Sequence, residues 1–328
     1  MYLTTEQIRS IAIGATAADE RDGLLLLCRF TPEQRALYRE TSDDFYMKSH
    51  STAGVRLEFD TDSERLELAV AVSPGSSRLK TSVHSVFVDD ERIGELPVSL
   101  ELDQKDVPYS GAFALGKGTK RVKIVFPWSM SSRIASLSLD DGATVTPVAK
   151  DRRMIIFGDS ITQGYDASKP EKSYASILAD ALNANAVNKG IGGEKFFPEL
   201  ATLADDFDPD IITVAYGTND WSKREKDELD ELCAAFYQNL AKTYPHAKIF
   251  AIAPLWRPDI FTKGKDYPLT HVAEYLREVA VGIPNMTVID AMDFIPHDDV
   301  CFSDNVHPND EGFVHYATHL LKALEEQL

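Results

Sequence analysis

Four short polar segments in the second half of the chain carry residue types suited to acyl transfer. They are Gly158-Asp159-Ser160-Ile161-Thr162-Gln163-Gly164, Asn188-Lys189-Gly190-Ile191-Gly192-Gly193, Gly217-Thr218-Asn219-Asp220-Trp221 and Asp304-Asn305-Val306-His307-Pro308-Asn309. A serine hydroxyl becomes a nucleophile only when a base takes its proton and a third group steadies that base. Ser160 stands where an apolar run gives way to a helical pattern, which exposes the hydroxyl and aims backbone N–H groups at one point. His307 is the candidate base, because a neutral imidazole titrates close to working pH. Asp304, three residues earlier on the same loop, can hold the other ring nitrogen, and Pro308 stiffens the exit of that loop. An oxyanion needs donors that do not reorganise; the candidates are the N–H of Ser160, the N–H of Gly193 and the side-chain amide of Asn219. Glycine at 193 lets backbone approach a substrate closely. One such donor is worth about 3 kcal/mol of transition-state stabilisation.

Each segment also has a plainer reading. Ser160 is a suitable helix N-cap, Asn219 a suitable Asx-turn residue, and the glycines a tight strand-to-helix turn in which Gly190 competes with Gly193 for the donor role. Asp304 and His307 are compatible with an ordinary helix-entry loop. The four segments together, in this order, outweigh these separate readings. Asp159 is read as a brace whose carboxylate accepts backbone N–H bonds, outside the catalytic set. Trp221 is a candidate substrate-binding platform, its aromatic face suited to a sugar ring, against the alternative of a packed rim residue; Trp256 is a weaker candidate of the same kind. His315 and His319 are spaced i, i+4 as metal ligands are, but no motif supplies a third ligand, so a helix face is the favoured reading and no metal is assigned. The run from Asp205 to Asp210 reads as a solvated loop.

The elements that must position these residues change character along the chain. From Val55 to Asp141, apolar and polar residues alternate: Val55, Leu57, Phe59; Leu66, Leu68, Val70, Val72; Val122, Ile124, Phe126; Ala135, Leu137, Leu139. Period-two alternation predicts strands with one buried face, and Ser73-Pro74-Gly75, Gly116-Lys117-Gly118 and Asp140-Asp141-Gly142 supply turn chemistry between them. A β-sandwich follows, with a helix near Pro32–Tyr38 ahead of it. After Lys150 the pattern becomes continuous apolar runs, Met154–Phe157, Ile211–Tyr216, Ile249–Ala253 and Met286–Ile289, separated by helical stretches. Helices are predicted through Tyr174–Leu182, 227–244, 269–281 and 310–324. Buried strands alternating with helices mean a parallel sheet covered on both faces. The expected domains are 1–149 and 150–328, in keeping with a 328-residue chain about twice the usual domain length.

Composition narrows the partners. Lys and Arg number 34 against 52 Asp and Glu, a formal charge of −18. Such an acidic surface repels phosphate backbones and anionic lipid, so neither a nucleic acid nor a membrane is the expected partner. Cys28, Cys233 and Cys301 are widely spaced and form no CxxC, which indicates neither a disulfide framework nor a thiolate metal site. The N-terminus carries no basic stretch leading into an apolar core, and Leu24–Cys28 is far short of the roughly 20 apolar residues that a spanning helix needs. A cytoplasmic location is the expectation, with a homo-oligomer left open.

GDSITQG, NKGIGG, GTND and DNVHPN resemble the four signature blocks of the SGNH (GDSL-type) hydrolases. The resemblance covers Arg153 to Leu328 with no block missing. It implies a flavodoxin-like three-layer fold and no metal or organic cofactor. It also implies Ser160 as nucleophile, Gly193 and Asn219 completing the oxyanion hole, and Asp304 and His307 as the remaining triad members. It is not the G-x-S-x-G elbow of α/β-hydrolases, since Ile161-Thr162 follow Ser160. The order of domains further resembles two-domain carbohydrate esterases, with a jelly-roll-like domain ahead of the SGNH domain. That implies a serine esterase acting on small acyl esters, above all acetyl, of carbohydrates. Secreted polysaccharide esterases carry an export signal and this chain shows none, so an imported oligosaccharide or a metabolite ester is the expected substrate. Two alternatives stand beside this reading. One is a lipid esterase, lysophospholipase or thioesterase on the same triad; the other is a carbohydrate-binding protein with an inert hydrolase domain.

Overall fold

A computed structural model describes residues 1–78, 81–262 and 265–328. The chain divides into two compact units, one of Met1–Lys150 with Lys169–Glu171 and one of Asp151–Ser168 with Lys172–Leu328.

The first unit is built from two antiparallel sheets that share one apolar core. In one sheet the order is Ala12–Ile13, Arg56–Thr61, Lys120–Val125, Thr81–Val88 and Glu91–Ser99, with Thr146–Pro147 pairing to Arg56–Thr61. In the other it is Ala17–Arg21, Leu24–Cys28, Met130–Leu139, Arg65–Pro74 and Val107–Ala114. The alternating residues do point inward: Leu57, Phe59, Val122 and Ile124 from one sheet meet Leu66, Leu68, Val70, Val72 and Leu137 from the other. One expectation fails. A register shift between Ile134 and Ser136 marks a bulge that buries Ile134 and turns Ala135 outward. The helix expected at Pro32–Tyr38 runs on to Thr41, started by a reciprocal capping box between Thr31 and Gln34 with Pro32 in its first turn.

The second unit is a five-stranded parallel sheet flanked by helices. We number its strands β1 (Arg152–Gly158), β2 (Ala184–Gly190), β3 (Ile211–Ala215), β4 (Lys248–Ile252) and β5 (Met286–Ile289), and its longer helices α1 (Tyr174–Ala181), α2 (Lys226–Thr243), α3 (Thr270–Ala280) and α4 (Asp310–Glu325). The strand order is β2-β1-β3-β4-β5, so the direction of winding reverses next to β1. Open sheets of this order bind ligands at the carboxyl ends of the strands, at the reversal point. The helices form because apolar residues fall on one face. In α2, Leu229, Cys233, Phe236, Tyr237 and Leu240 are buried, at offsets 0, 4, 7, 8 and 11 from the first. In α4 the stripe is Phe313, Tyr316, Ala317, Leu320 and Leu324, and Asn309 caps the start by accepting the N–H groups of Glu311 and Gly312.

Strand β2 was hard to see in the sequence because it is made of small and polar residues, Ala184 to Gly190. It survives in the interior because its polar groups have partners. Asn188 donates its amide to the Thr162 carbonyl at 2.7 Å and accepts the Gly190 N–H at 2.8 Å. Lys189 reaches Asp205 at 2.5 Å with both side chains at 0% exposure, and the Tyr244 hydroxyl donates to the same carboxylate at 3.0 Å. The segment expected to be a solvated acidic loop therefore begins with a buried counter-ion. Removing one partner of such a pair leaves an uncompensated charge in the interior. Lys189→Met is expected to cost the second unit about 3–5 kcal/mol, read as a lowered urea midpoint; a midpoint within error of wild type would show that Asp205 finds water or another partner.

No helix among the described residues is long and apolar enough to cross a membrane.

Candidate active site

The turn after β1 is fixed by glycine. A Cβ on Gly158 would stand 2.0 Å from Thr162 Oγ1, and one on Gly190 would stand 2.3 Å from the Gln163 nitrogen. The helical turn Ser160–Gln163 thus packs directly on the ends of β1 and β2, closer than any larger residue allows. Asp159 caps the turn by accepting the Ile161 N–H at 3.0 Å, and Gly164 closes it in a left-handed conformation, φ 106°. The bracing role read for Asp159 is seen here, with a second contact from Asn219 described below.

The loop bearing Asp304 and His307 is closed on itself before α4. Phe302 and Pro308 form an isolated β-bridge, Ser303 donates to the His307 carbonyl at 2.9 Å, and Asn309 donates to the Cys301 carbonyl at 3.0 Å. Within it, Asp304 Oδ1 accepts the backbone N–H groups of Val306 and His307, both at 2.7 Å. The same carboxylate approaches His307 Nδ1 through Oδ2 at 2.9 Å, and His307 Nε2 lies 2.8 Å from Ser160 Oγ. Serine, imidazole and carboxylate form one continuous hydrogen-bonded line. The Tyr165 ring stacks on the imidazole, 5.6 Å between centroids and 23° between planes. Its hydroxyl lies against Gly192, where a Cβ would meet it at 2.3 Å. Sequence reasoning passed over Tyr165; its only signal was its place five residues after Ser160, directly after the glycine that closes the helical turn.

Three glycines compete for the donor role, and their N–H groups separate them. Gly190 donates to Asn188 Oδ1 at 2.8 Å, and Gly192 donates to Gln163 Oε1 at 2.8 Å. The N–H groups of Gly193, at φ 88°, and of Ser160 have no acceptor among the described residues. Asn219 sits in the short helix Thr218–Lys223 after β3, entered through Gly217 at φ 113°. Its amide nitrogen donates to the Glu194 carbonyl at 3.0 Å and to Asp159 Oδ2 at 3.2 Å, so both its hydrogens have acceptors.

Trp221 is not a platform. It is 2% exposed, its indole N–H donates to the Tyr267 carbonyl at 3.0 Å, and the Arg257 guanidinium lies over its ring. The correction follows from helix geometry: Trp221 lies two residues after Asn219, and positions two apart on a helix do not share a face. Trp256 is partly exposed and stacks on His297, 4.9 Å between centroids.

Burial raises the carboxyls of two acids beneath the site. Burial is the main cause that pushes the Asp159 carboxyl up to about 7; the Ile161 N–H opposes it, and the nearby Asp220 adds to it. Burial also raises Asp220, against the pull of Arg224.

Residues 156–313 match the model of the GDSL-like Lipase/Acylhydrolase family. The second unit has the SGNH fold of that family. Among solved structures, the chain is similar to the salicylyl-acyltransferase SsfX3 from a tetracycline biosynthetic pathway, with a TM-score of 0.84 and 22% identity over 96% of this chain and 94% of that one. It is also similar to a family two carbohydrate esterase from Clostridium thermocellum, TM-score 0.67 and 16% identity over 84% and 93% of the two chains. A third likeness is to an acetyl xylan esterase from the rumen bacterium Butyrivibrio proteoclasticus, TM-score 0.59 and 18% identity over 84% and 90%. No curated protein matches in sequence. The resemblance read from the four blocks is thereby upheld.

The raised Asp159 carboxyl makes stability depend on pH in a definite direction. Between the unfolded value, 3.8, and about 7 the folded form holds a proton that the unfolded form has lost. Stability from this group is therefore lost as pH rises through that window. The difference in unfolding free energy between wild type and Asp159→Asn is expected to move in favour of the variant from pH 4 to pH 7, by denaturant titration at each pH. A constant difference would mean that Asp159 is charged in the folded protein throughout.

Proposed function

We propose that this protein is a serine esterase that removes small acyl groups, above all acetyl, from carbohydrate hydroxyls. The observation that carries the serine chemistry is the line from Ser160 Oγ through His307 to Asp304, at 2.8 Å and 2.9 Å. His307 Nε2 takes the hydroxyl proton as Ser160 Oγ attacks the ester carbonyl, and Asp304 stabilises the imidazolium that forms. The free N–H groups of Ser160 and Gly193 receive the oxyanion. Asn219 joins them by giving up the longer of its two bonds, that to Asp159. A protonated Asp159 is the weaker acceptor and makes that exchange easier. The imidazolium then protonates the leaving alcohol, and His307 activates a water that frees the acid and regenerates Ser160.

Acetyl and sugar rest on different support. Two of the similar structures are carbohydrate esterases, one of them acting on acetyl xylan by name, and the first unit stands where the sequence reading placed the companion domain of such enzymes. The domain assignment, 1–149 as a β-sandwich and 150–328 as the hydrolase, is part of this proposal.

Acetate release from acetylated xylo-oligosaccharides, with a medium-chain p-nitrophenyl ester alongside, tests both levels. Wild type is expected to release acetate with little action on the longer ester, and Ser160→Ala to lower kcat by about 10⁴-fold or more. Turnover of the longer ester alone would keep the serine and discard the sugar; undiminished turnover by Ser160→Ala would discard the serine. Asn219→Ala is expected to lower kcat by about 10²–10³-fold with KM little changed, in steady-state assays. A loss confined to KM would make Asn219 a ground-state contact only.

A further inference from the structure

The sequence pairs His315 with His319, but the structure assembles a different set. His319 Nδ1 is bonded to the His315 carbonyl at 2.9 Å and its ring lies on Phe294. The ligand-type atoms of Cys301, Glu311 and His315 instead converge, all within 4.8 Å of one another. Glu311 and His315 are i, i+4 on the exposed side of α4, and Cys301 ends the short turn Asp299–Cys301 that lies over the first turn of that helix. None of the three side chains has a hydrogen bond or an ion pair with another described residue. The neighbouring Asp310, by contrast, is fully engaged with Ser168 and Lys172.

We propose that Cys301, Glu311 and His315 form a binding site for a zinc-like divalent cation. A thiolate, an imidazole and a carboxylate are the donor types that zinc takes, and three protein ligands with a water complete a tetrahedral shell. Cys301 is buried while Glu311 is exposed and free to swing, so closing the cluster on an ion needs only side-chain motion. On coordination the thiol gives its proton to solvent and binds as thiolate. The ion would tie Cys301, three residues before Asp304, to α4, and so fix both ends of the loop that carries Asp304 and His307.

The test is a Zn²⁺ titration of the full chain against a chromophoric chelator, repeated with Co²⁺. One ion per chain is expected, with a thiolate-to-cobalt charge-transfer band in the near ultraviolet. Partners outside the coordination shell are already worth about 10–100-fold in affinity. Cys301→Ser and His315→Ala are therefore expected to lose at least that much, and Cys301→Ser to lose the band. His315 is half-exposed on a helix, so His315→Ala keeps the test valid if Cys301→Ser folds poorly. Two outcomes would overturn the site. One is the absence of saturable binding by wild type. The other is binding that both variants retain while ester turnover falls, which would put the ion on Asp166, Asp304 and His307.

Discussion

The hydrogen bond between Ser160 and His307 joins residues 147 apart in the chain at 2.8 Å. A bond of that length tolerates only a few tenths of an ångström of error from either side. Both ends must therefore be held by backbone and not by side-chain choice. On the serine side, the turn rests on strand ends with no Cβ between them at Gly158 and Gly190. On the histidine side, a β-bridge and two backbone hydrogen bonds close the loop before α4 begins. The remainder of the second unit, its strand order and its helices, is the frame that brings these two rigid ends together.

Acidic groups around that line divide by environment. Asp304 is partly exposed and accepts two backbone N–H groups while it faces the imidazole. Asp159 is buried with two neutral donors and a carboxylate neighbour, which suits one that holds a proton. Two aspartates close to one serine thus differ in solvation and in the donors they accept, the features that set a carboxyl's affinity for its proton.

The sequence was legible where local physics decides. Apolar runs read as buried strands, the stripes of α2 and α4 read as helices, three of the polar segments lie at the carboxyl ends of β1, β2 and β3, and the fourth leads into α4 as expected. It was silent where tertiary partners decide. Strand β2 is interior although Asn188 and Lys189 are polar, because Asp205 and Thr162 await them across the fold. Ala135 defied its alternation through a bulge that nothing in Ser131–Leu139 announces. Trp221 looked like a platform because its type and neighbourhood suit sugars, yet the Arg257 that covers it lies 36 residues further on. Proximity to a motif located the region but not the face.

The choice among glycines shows what structure adds to a motif. In the sequence, Gly190, Gly192 and Gly193 differ only in position, and a block comparison alone picks one. In the fold each N–H has a different fate: Gly190 satisfies Asn188, Gly192 satisfies Gln163, and Gly193 satisfies nothing among the described residues. An unsatisfied donor is costly when buried and cheap when water can reach it. Gly193 is partly exposed, so its N–H is within reach of solvent. The same argument applies to His307. Asp166 lies 3.9 Å from Nδ1, beyond a hydrogen bond, whereas Asp304 lies within one. Asp166 therefore adds negative charge beside the imidazole without fixing its direction, and orientation of the ring falls to Asp304 and to the Tyr165 face stacked on it.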